Sequence, residues 1–299
     1  MENYSRVGTK QQQIDDHSKP IKRNDFGQGS KTQKTISAIV PVYNEDKTVA
    51  KVVETLLNNP LINEVICVND GSTDKSLTIL KRFGAKIQLI NFNKNKGKSY
   101  ALVAGIKKAK GEVVAFFDAD LTNLSDEHIK TLLDPILDGK IKAVLGYPSV
   151  GRIAEPFSDL TGERAYYKKD LVPHLEKMRI TKFGVEIFLN GLFTEKETKK
   201  LALKQLRGLY KYEKHNLTNA IREYLSEAVE IAQEIGRREG LLPRDYQIIS
   251  QIPKVTNLNE LRAKIKTISD KHLRQVLEKY VSKYMEVAHH WWNSLTDTH

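Results

Sequence analysis

From Thr35 onward the chain alternates short, continuous apolar runs with longer stretches whose apolar residues recur every three or four positions. The runs beginning at Ile36, Glu64, Ile87, Val113 and Ala143 are too short for helices and read as buried strands. Between the first two, Val49, Val52, Val53, Leu56 and Leu57 mark an amphipathic helix that ends near Asn58, Asn59 and Pro60. Leu77, Leu80 and Phe83 mark a second helix, stopped by Gly84, and Ala101, Leu102, Gly105, Ile106 and Ala109 a third. A fourth carries Ile129, Leu132, Leu133 and Ile136 behind a cap at Ser125-Asp126-Glu127. Strands alternating with helices at this rhythm predict an α/β fold, a mostly parallel sheet with helices on both faces and right-handed crossovers. The loops after the first, second and fourth strands then emerge on one rim.

The pattern divides the chain. Residues 1–34 are rich in Gln, Asp, Lys, Ser and Gly and predict a flexible tail. Residues 35–194 carry the α/β pattern, and from about Glu195 a helical, regularly charged region is expected. There Leu217, Ile221, Tyr224, Leu225, Ala228 and Ile231 repeat at helical spacing, as do Leu273, Val276, Leu277, Tyr280, Val281, Tyr284, Val287, Ala288 and Trp291, with Gly240 to Val255 as the connection. Trp291 and Trp292 beside lysine-bearing helix resemble interfacial anchors, which leaves contact with a membrane surface open. The adjacent His289 and His290 cannot share a helix face and are not read as a metal site.

At 299 residues and 40% hydrophobic content, one large α/β domain plus an appendage is expected. A formal net charge of +11 invites a polyanionic partner. Its lysines and arginines are scattered among acids, with no arginine-rich arm, so nucleic acid is not expected and the charge suits nucleotide phosphates or an anionic acceptor equally. The single cysteine, Cys67, lies in an apolar run and reads as a buried hydrophobe; no disulfide can form within the chain, which suits a cytoplasmic setting. No apolar run approaches a length of about eighteen residues, so a soluble protein, at most peripheral to a membrane, is expected. Whether the chain forms a homo-oligomer is left open.

The chemistry gathers where the run at Val113 stops in Asp118-Ala119-Asp120. Ligands of an open α/β sheet bind outside the carboxyl ends of its strands, and two oxygen donors there suit a hard divalent cation, Mg²⁺ or Mn²⁺, that keeps positions free for substrate phosphates. Taken alone, Asp-x-Asp is equally a solvated loop leading to a helix cap. Other rim loops add Tyr43, Asn44 and Glu45 after the first strand and Asp70 after the second, and Lys98 begins the third helix.

In chain order, Ile39-Val40-Pro41-Val42-Tyr43-Asn44-Glu45, Val68-Asn69-Asp70-Gly71-Ser72-Thr73-Asp74, Asn95-Lys96-Gly97-Lys98 and Asp118-Ala119-Asp120 resemble the family 2 glycosyltransferases of the GT-A fold. The resemblance spans roughly residues 35–190 and implies a nucleotide-sugar donor, UDP- or GDP-linked. It implies that Pro41, Val42 and Tyr43 line the base, that Glu45 meets the ribose and that Asp70 accepts from a base N–H. Lys98 would approach the nucleotide, and Asp118 and Asp120, on either side of Ala119, would hold the metal on its diphosphate. Thr161-Gly162-Glu163-Arg164 and Phe183-Gly184-Val185-Glu186 resemble the acceptor-side segments of members acting on small phosphorylated acceptors or polyprenyl phosphates. Glu186 is accordingly the candidate base or acceptor ligand, against the bland reading of an acid at a helix start. Gly162 and Arg164 are candidate acceptor contacts, Arg164 either binding an anion or pairing with Glu163.

One departure stands out. Many relatives complete the metal site with a histidine ahead of a Lys-x-Glu-Lys stretch; here that stretch is Lys211-Tyr212-Glu213-Lys214, and the histidine's place is taken by Gly208. Either water fills the coordination sphere or His215 substitutes. Two other functions compete with glycosyl transfer. A nucleotidyltransferase is disfavoured because the loop after the first strand is acidic rather than glycine-rich and basic. A non-catalytic scaffold engaging a partner through its basic helical tail is disfavoured by the intact acidic pair.

Overall fold

The computed structural model describes residues 34–149, 161–181, 185–209, 243–251, 258–271, 273–275 and 277–278. Strand β1 (Ile36–Val42) is followed by α1 (Val49–Asn58), β2 (Glu64–Asp70), α2 (Ser76–Lys81), β3 (Gln88–Phe92), α3 (Lys98–Lys108), β4 (Val113–Phe116), α4 (Asp126–Leu137) and β5 (Ala143–Ser149). Then come β6 (Glu163–Tyr167), the short helices α5 (Lys168–Leu171), α6 (Leu175–Arg179) and α7 (Val185–Asn190), and β7 (Thr198–Lys204). Two further helices, α8 (Pro243–Gln251) and α9 (Leu258–Lys266), lie in the described C-terminal residues.

The strands form one seven-stranded sheet in the order β3-β2-β1-β4-β6-β5-β7. Pairs β1–β2, β2–β3, β1–β4 and β5–β7 are parallel, while β6 runs antiparallel to both β4 and β5. Alternation along each strand splits the core into two layers. Val40, Val65, Val113 and Ala115 face the helices α1 and α4 through Val53, Leu56, Ile129 and Leu133. Ile39, Ile66, Val68, Val114 and Phe116 face α3 and the α6–α7 segment through Leu102, Ile106, Met178 and Val185. Asp70 and Asp118 share the strand parity of the second set, so the sheet's own alternation directs both toward α3.

Two expectations are corrected. Residues 198–204, expected to lie in a helical region starting at 195, form β7, because parallel pairing with β5 from Ala143↔Thr198 to Ser149↔Lys204 outweighs local preference. The connection expected around Pro243 contains α8, in which proline takes the first helical position, where its missing N–H has no intrahelical partner to lose. The readings of residues 1–33 and of the apolar repeats at 217–231, as well as His215, Lys211–Lys214, His289, His290, Trp291 and Trp292, lie outside the described residues.

Candidate active site

The rim is assembled by loops that hold one another. Asn44 adopts the left-handed region, φ 56°, so that its N–H donates to Ser72 Oγ at 3.0 Å and its Oδ1 accepts from Thr73 N at 2.8 Å. Glu45 N donates to Ser76 Oγ at 2.8 Å, and the Glu45 carbonyl accepts from Val49 N at 3.0 Å to start α1. Thr48 donates its hydroxyl to the carbonyl of Ala119 at 2.8 Å, joining the β1 loop to the acidic pair. At this rim Tyr43 is exposed and Pro41 half-buried. Val42, expected to line a base, packs instead in the core layer beneath α1, as the inward parity of its strand position requires.

Asp70 is almost wholly buried and spends both carboxylate oxygens on backbone. Oδ1 accepts from Lys96 N and Oδ2 from Gly97 N, each at 2.8 Å. Burial pushes its pKa up, against those two hydrogen bonds, which favour the ionised form. The first task of Asp70 is therefore to pin the turn that opens α3. Gly97 makes that turn at φ 97°, a conformation open to glycine.

The pinned turn delivers Lys98, whose Nζ lies 2.8 Å from Asp118 Oδ1 and 2.9 Å from Glu186 Oε1. Burial by itself would lower the lysine pKa; the two carboxylates, Asp118 foremost, outweigh it and hold the ammonium well above the ordinary lysine value. Residues from three distant segments thus meet at one cation.

Behind Asp118 lies the segment Thr161–Arg164. Thr161 Oγ1 is 2.5 Å from the Gly146 carbonyl and 2.7 Å from Glu163 Oε2. A hydroxyl has one proton, and both neighbours are acceptors unless Glu163 carries a proton of its own. Burial, and after it the Asp118 charge, push Glu163 up to about 8 from an ordinary 4.5, against the Thr161 hydroxyl, whose donation to Oε2 favours the ionised form. Sequence reasoning noticed Glu163 only as a partner for Arg164. Its seat behind the acidic pair follows from the antiparallel register Phe116↔Arg164, which no motif announces.

Arg164 is also placed differently from expectation. It is buried, its Nε donating to the Thr161 carbonyl at 2.6 Å and its Nη1 to Tyr166 Oη at 3.1 Å and Asn190 Oδ1 at 2.7 Å. These bonds tie β6 to α7 and hold the helix that carries Glu186. The cause is strand parity: Arg164 pairs with Phe116, whose side chain lies in the α3 layer.

Beyond Asp120 the chain returns as a strap. Thr122 N donates to the Arg207 carbonyl at 2.8 Å and Leu209 N to the Asp120 carbonyl at 2.9 Å, around an antiparallel bridge Leu121↔Gly208. Gly208 lies directly beside Asp120, where a β-carbon would stand 3.2 Å from Oδ1. Among the described residues no group of three or more His, Cys, Asp and Glu could hold a metal. The donors present, two hard carboxylates on one loop, fit a divalent cation that draws its remaining ligands from phosphate and water.

A sequence profile described as Glycosyl transferase family 2 matches residues 37–187. An uncharacterized glycosyltransferase, sll0501, from Synechocystis sp. is 38% identical over 111 residues, 35% of this chain and 35% of its own length. The 4,4'-diaponeurosporenoate glycosyltransferase of Staphylococcus aureus is 30% identical over 131 residues, 42% of this chain and 35% of its own. The matched part of the chain thus spans about a third of the length of these curated relatives. Among solved structures, glucosyl-3-phosphoglycerate synthase from Mycobacterium tuberculosis, in complex with Mn²⁺, UDP and glucosyl-3-phosphoglycerate, superposes with a TM-score of 0.54 at 22% identity. That likeness covers 70% of this chain and 81% of that one, and it establishes the shared GT-A-like fold.

Proposed function

The chain belongs to glycosyl transferase family 2, and from that premise we propose that it transfers a sugar from a nucleotide-diphosphate donor, UDP- or GDP-linked, to a hydroxyl or phosphate acceptor in a metal-dependent reaction. The observation that carries this reading is the Lys98 ammonium between Asp118 and Glu186, which brings a donor-side acid and an acceptor-side acid to one centre.

Asp118 and Asp120 would hold Mg²⁺ or Mn²⁺, which when bound neutralises the charge developing on the leaving diphosphate. Lys98, a permanent cation in a low-dielectric pocket, adds to the same field without a proton transfer. Tyr43, Pro41 and Glu45 flank the nucleoside end. Asp70 acts there through the turn it pins, with its outer lone pairs left for a base N–H. Glu186, oriented by Lys98 and by the Arg164–Asn190 bond beneath its helix, receives the proton of an attacking hydroxyl. A phosphate acceptor, ionised near pH 7, needs no such base. Solved neighbours carrying phosphoglyceric acid or glycerol 3-phosphate support the small phosphorylated class of acceptor.

Incubation with a panel of UDP- and GDP-sugars, with and without Mn²⁺, tests the reading through nucleotide release, since slow donor hydrolysis needs no acceptor. Metal-stimulated release from one donor is expected; none from any donor overturns it. With an acceptor in hand, Glu186→Gln is expected to lower kcat roughly 10²–10⁴-fold for a hydroxyl acceptor. Near-normal turnover of that variant would assign a phosphate acceptor instead.

A further inference from the structure

Each acid of the Asp118–Asp120 pair is backed by a glycine from a distant segment, and the two contacts differ sharply. A β-carbon on Gly208 would lie 3.2 Å from Asp120 Oδ1 and 3.5 Å from its Cγ, a squeeze that a carboxylate tip relieves by turning. A β-carbon on Gly162 would lie 2.0 Å from Asp118 Oδ2, 2.4 Å from Cγ and 2.5 Å from Oδ1. Favourable carbon contacts begin near 3.5 Å. Because all three carboxyl atoms fall inside that limit, rotating the group relieves nothing and the whole carboxyl group must move.

The glycine cannot retreat in its place. Its neighbours are fixed on both sides, Thr161 by its hydroxyl on the Gly146 carbonyl and by the Arg164 Nε on its own carbonyl, and Glu163 by its pairing with Gly146 in the sheet. Nor does the backbone ask for glycine there: among the described residues the glycines with positive φ are Gly71, Gly84, Gly97 and Gly139, and Gly162 is not one of them. The absence of a side chain at 162 therefore answers to one demand, the space filled by the Asp118 carboxylate.

We propose that Gly162 is a positioning residue that seats Asp118 against Lys98 and keeps its carboxylate available to the metal and nucleotide. This rests on the donor-side role of Asp118 given above. It also assigns Gly162 to the donor half of the site rather than to the acceptor contacts expected of it.

A double-mutant cycle on the full chain tests this. Gly162→Ala, Asp118→Ala and the pair are unfolded in urea without metal, and Mn²⁺ with UDP, then with GDP, is titrated into wild type and Gly162→Ala by calorimetry. Gly162→Ala is expected to destabilise the wild type clearly and the Asp118→Ala background hardly at all, because deleting the carboxyl group vacates the needed space. It is also expected to weaken Mn²⁺–nucleotide binding at least tenfold, an effect that loss of stability alone does not produce in protein that remains folded. Equal destabilisation in both backgrounds, or wild-type binding by Gly162→Ala, overturns the proposal. If Gly162→Ala does not fold, folding of the double variant supports the proposal and its failure to fold overturns it. If wild type binds neither nucleotide, the donor reading fails, and the unfolding cycle alone then decides: additivity overturns the seat at Gly162, and non-additivity upholds it.

Discussion

Lys98 illustrates how much a single side chain does in this molecule. Its ammonium offsets two carboxylates in a pocket where its side chain is only 17% exposed, so removing it leaves Asp118 and Glu186 without their shared counter-ion. Breaking a buried pair in this way costs on the order of 3 kcal/mol. Lys98→Met is expected to show that loss in urea unfolding at pH 7 and to recover part of it when Mn²⁺ is added. Glu163 behaves in the opposite sense. Its folded-state value of about 8 stands above the ordinary 4.5, so the native state keeps a proton that the unfolded chain releases. Its contribution is complete below about pH 4.5 and is lost as pH rises through 8. Glu163→Gln, which mimics the protonated acid and has no proton to lose, is expected to unfold with a flatter pH dependence. In metal-free buffer it should exceed wild type in stability at pH 8.5, by roughly 1–3 kcal/mol. Equal slopes for the two proteins between pH 5 and 8.5 would contradict the assignment.

At the scale of elements, the turn before α3 links two strands to the site. Asp70 closes it with two hydrogen bonds, and Lys96 adds a clasp in which its ammonium lies 4.5 Å from the Phe92 ring centroid and 4.6 Å from that of Tyr100. Asp70→Ala is expected to raise amide hydrogen exchange at Lys96 and Gly97 at least tenfold, while α1, held by its own apolar face, keeps its protection. Donor affinity should fall with it, since Lys98 follows the turn. The strap at 205–209 is a second device of this kind. Asn123 donates to the Gln205 carbonyl and accepts from Arg207 N, 2.7 and 2.8 Å, so the segment is fastened to the Asp120 loop along its length.

For the molecule as a whole, the sheet order sets what the rim can collect. Strands β1, β2 and β4 are central and parallel, so their carboxyl ends open together, and antiparallel β6 returns the Thr161–Glu163 segment to that same end. A ligand bound there touches several elements at once. Mn²⁺ with the preferred nucleotide at about a hundred times its Kd is therefore expected to stabilise the folded chain by about 2.7 kcal/mol, read as a rise in Tm that neither component gives alone. Among the described residues no helix is long and apolar enough to cross a membrane.

The amino-acid pattern alone was enough for the alternation of strands and helices, for the burial of Val49, Val52, Val53 and Leu56, and for the rim motifs, because periodicity and short polar loops are local properties. It also singled out Asp70, Lys98, Asp118 and Asp120, since each ends a run or opens a helix, whereas Glu186 was reached only through the resemblance of its segment to the acceptor side of the family. It did not reach the burial of Arg164, the strand at 198–204 or the seat of Glu163 behind Asp118. Those depend on which strands lie side by side, and pairing joins residues dozens of positions apart whose register no local pattern encodes. The seats of Asp118 against Gly162 and of Asp120 against Gly208 are of the same kind: packing between distant segments, decided only once the sheet has closed around them.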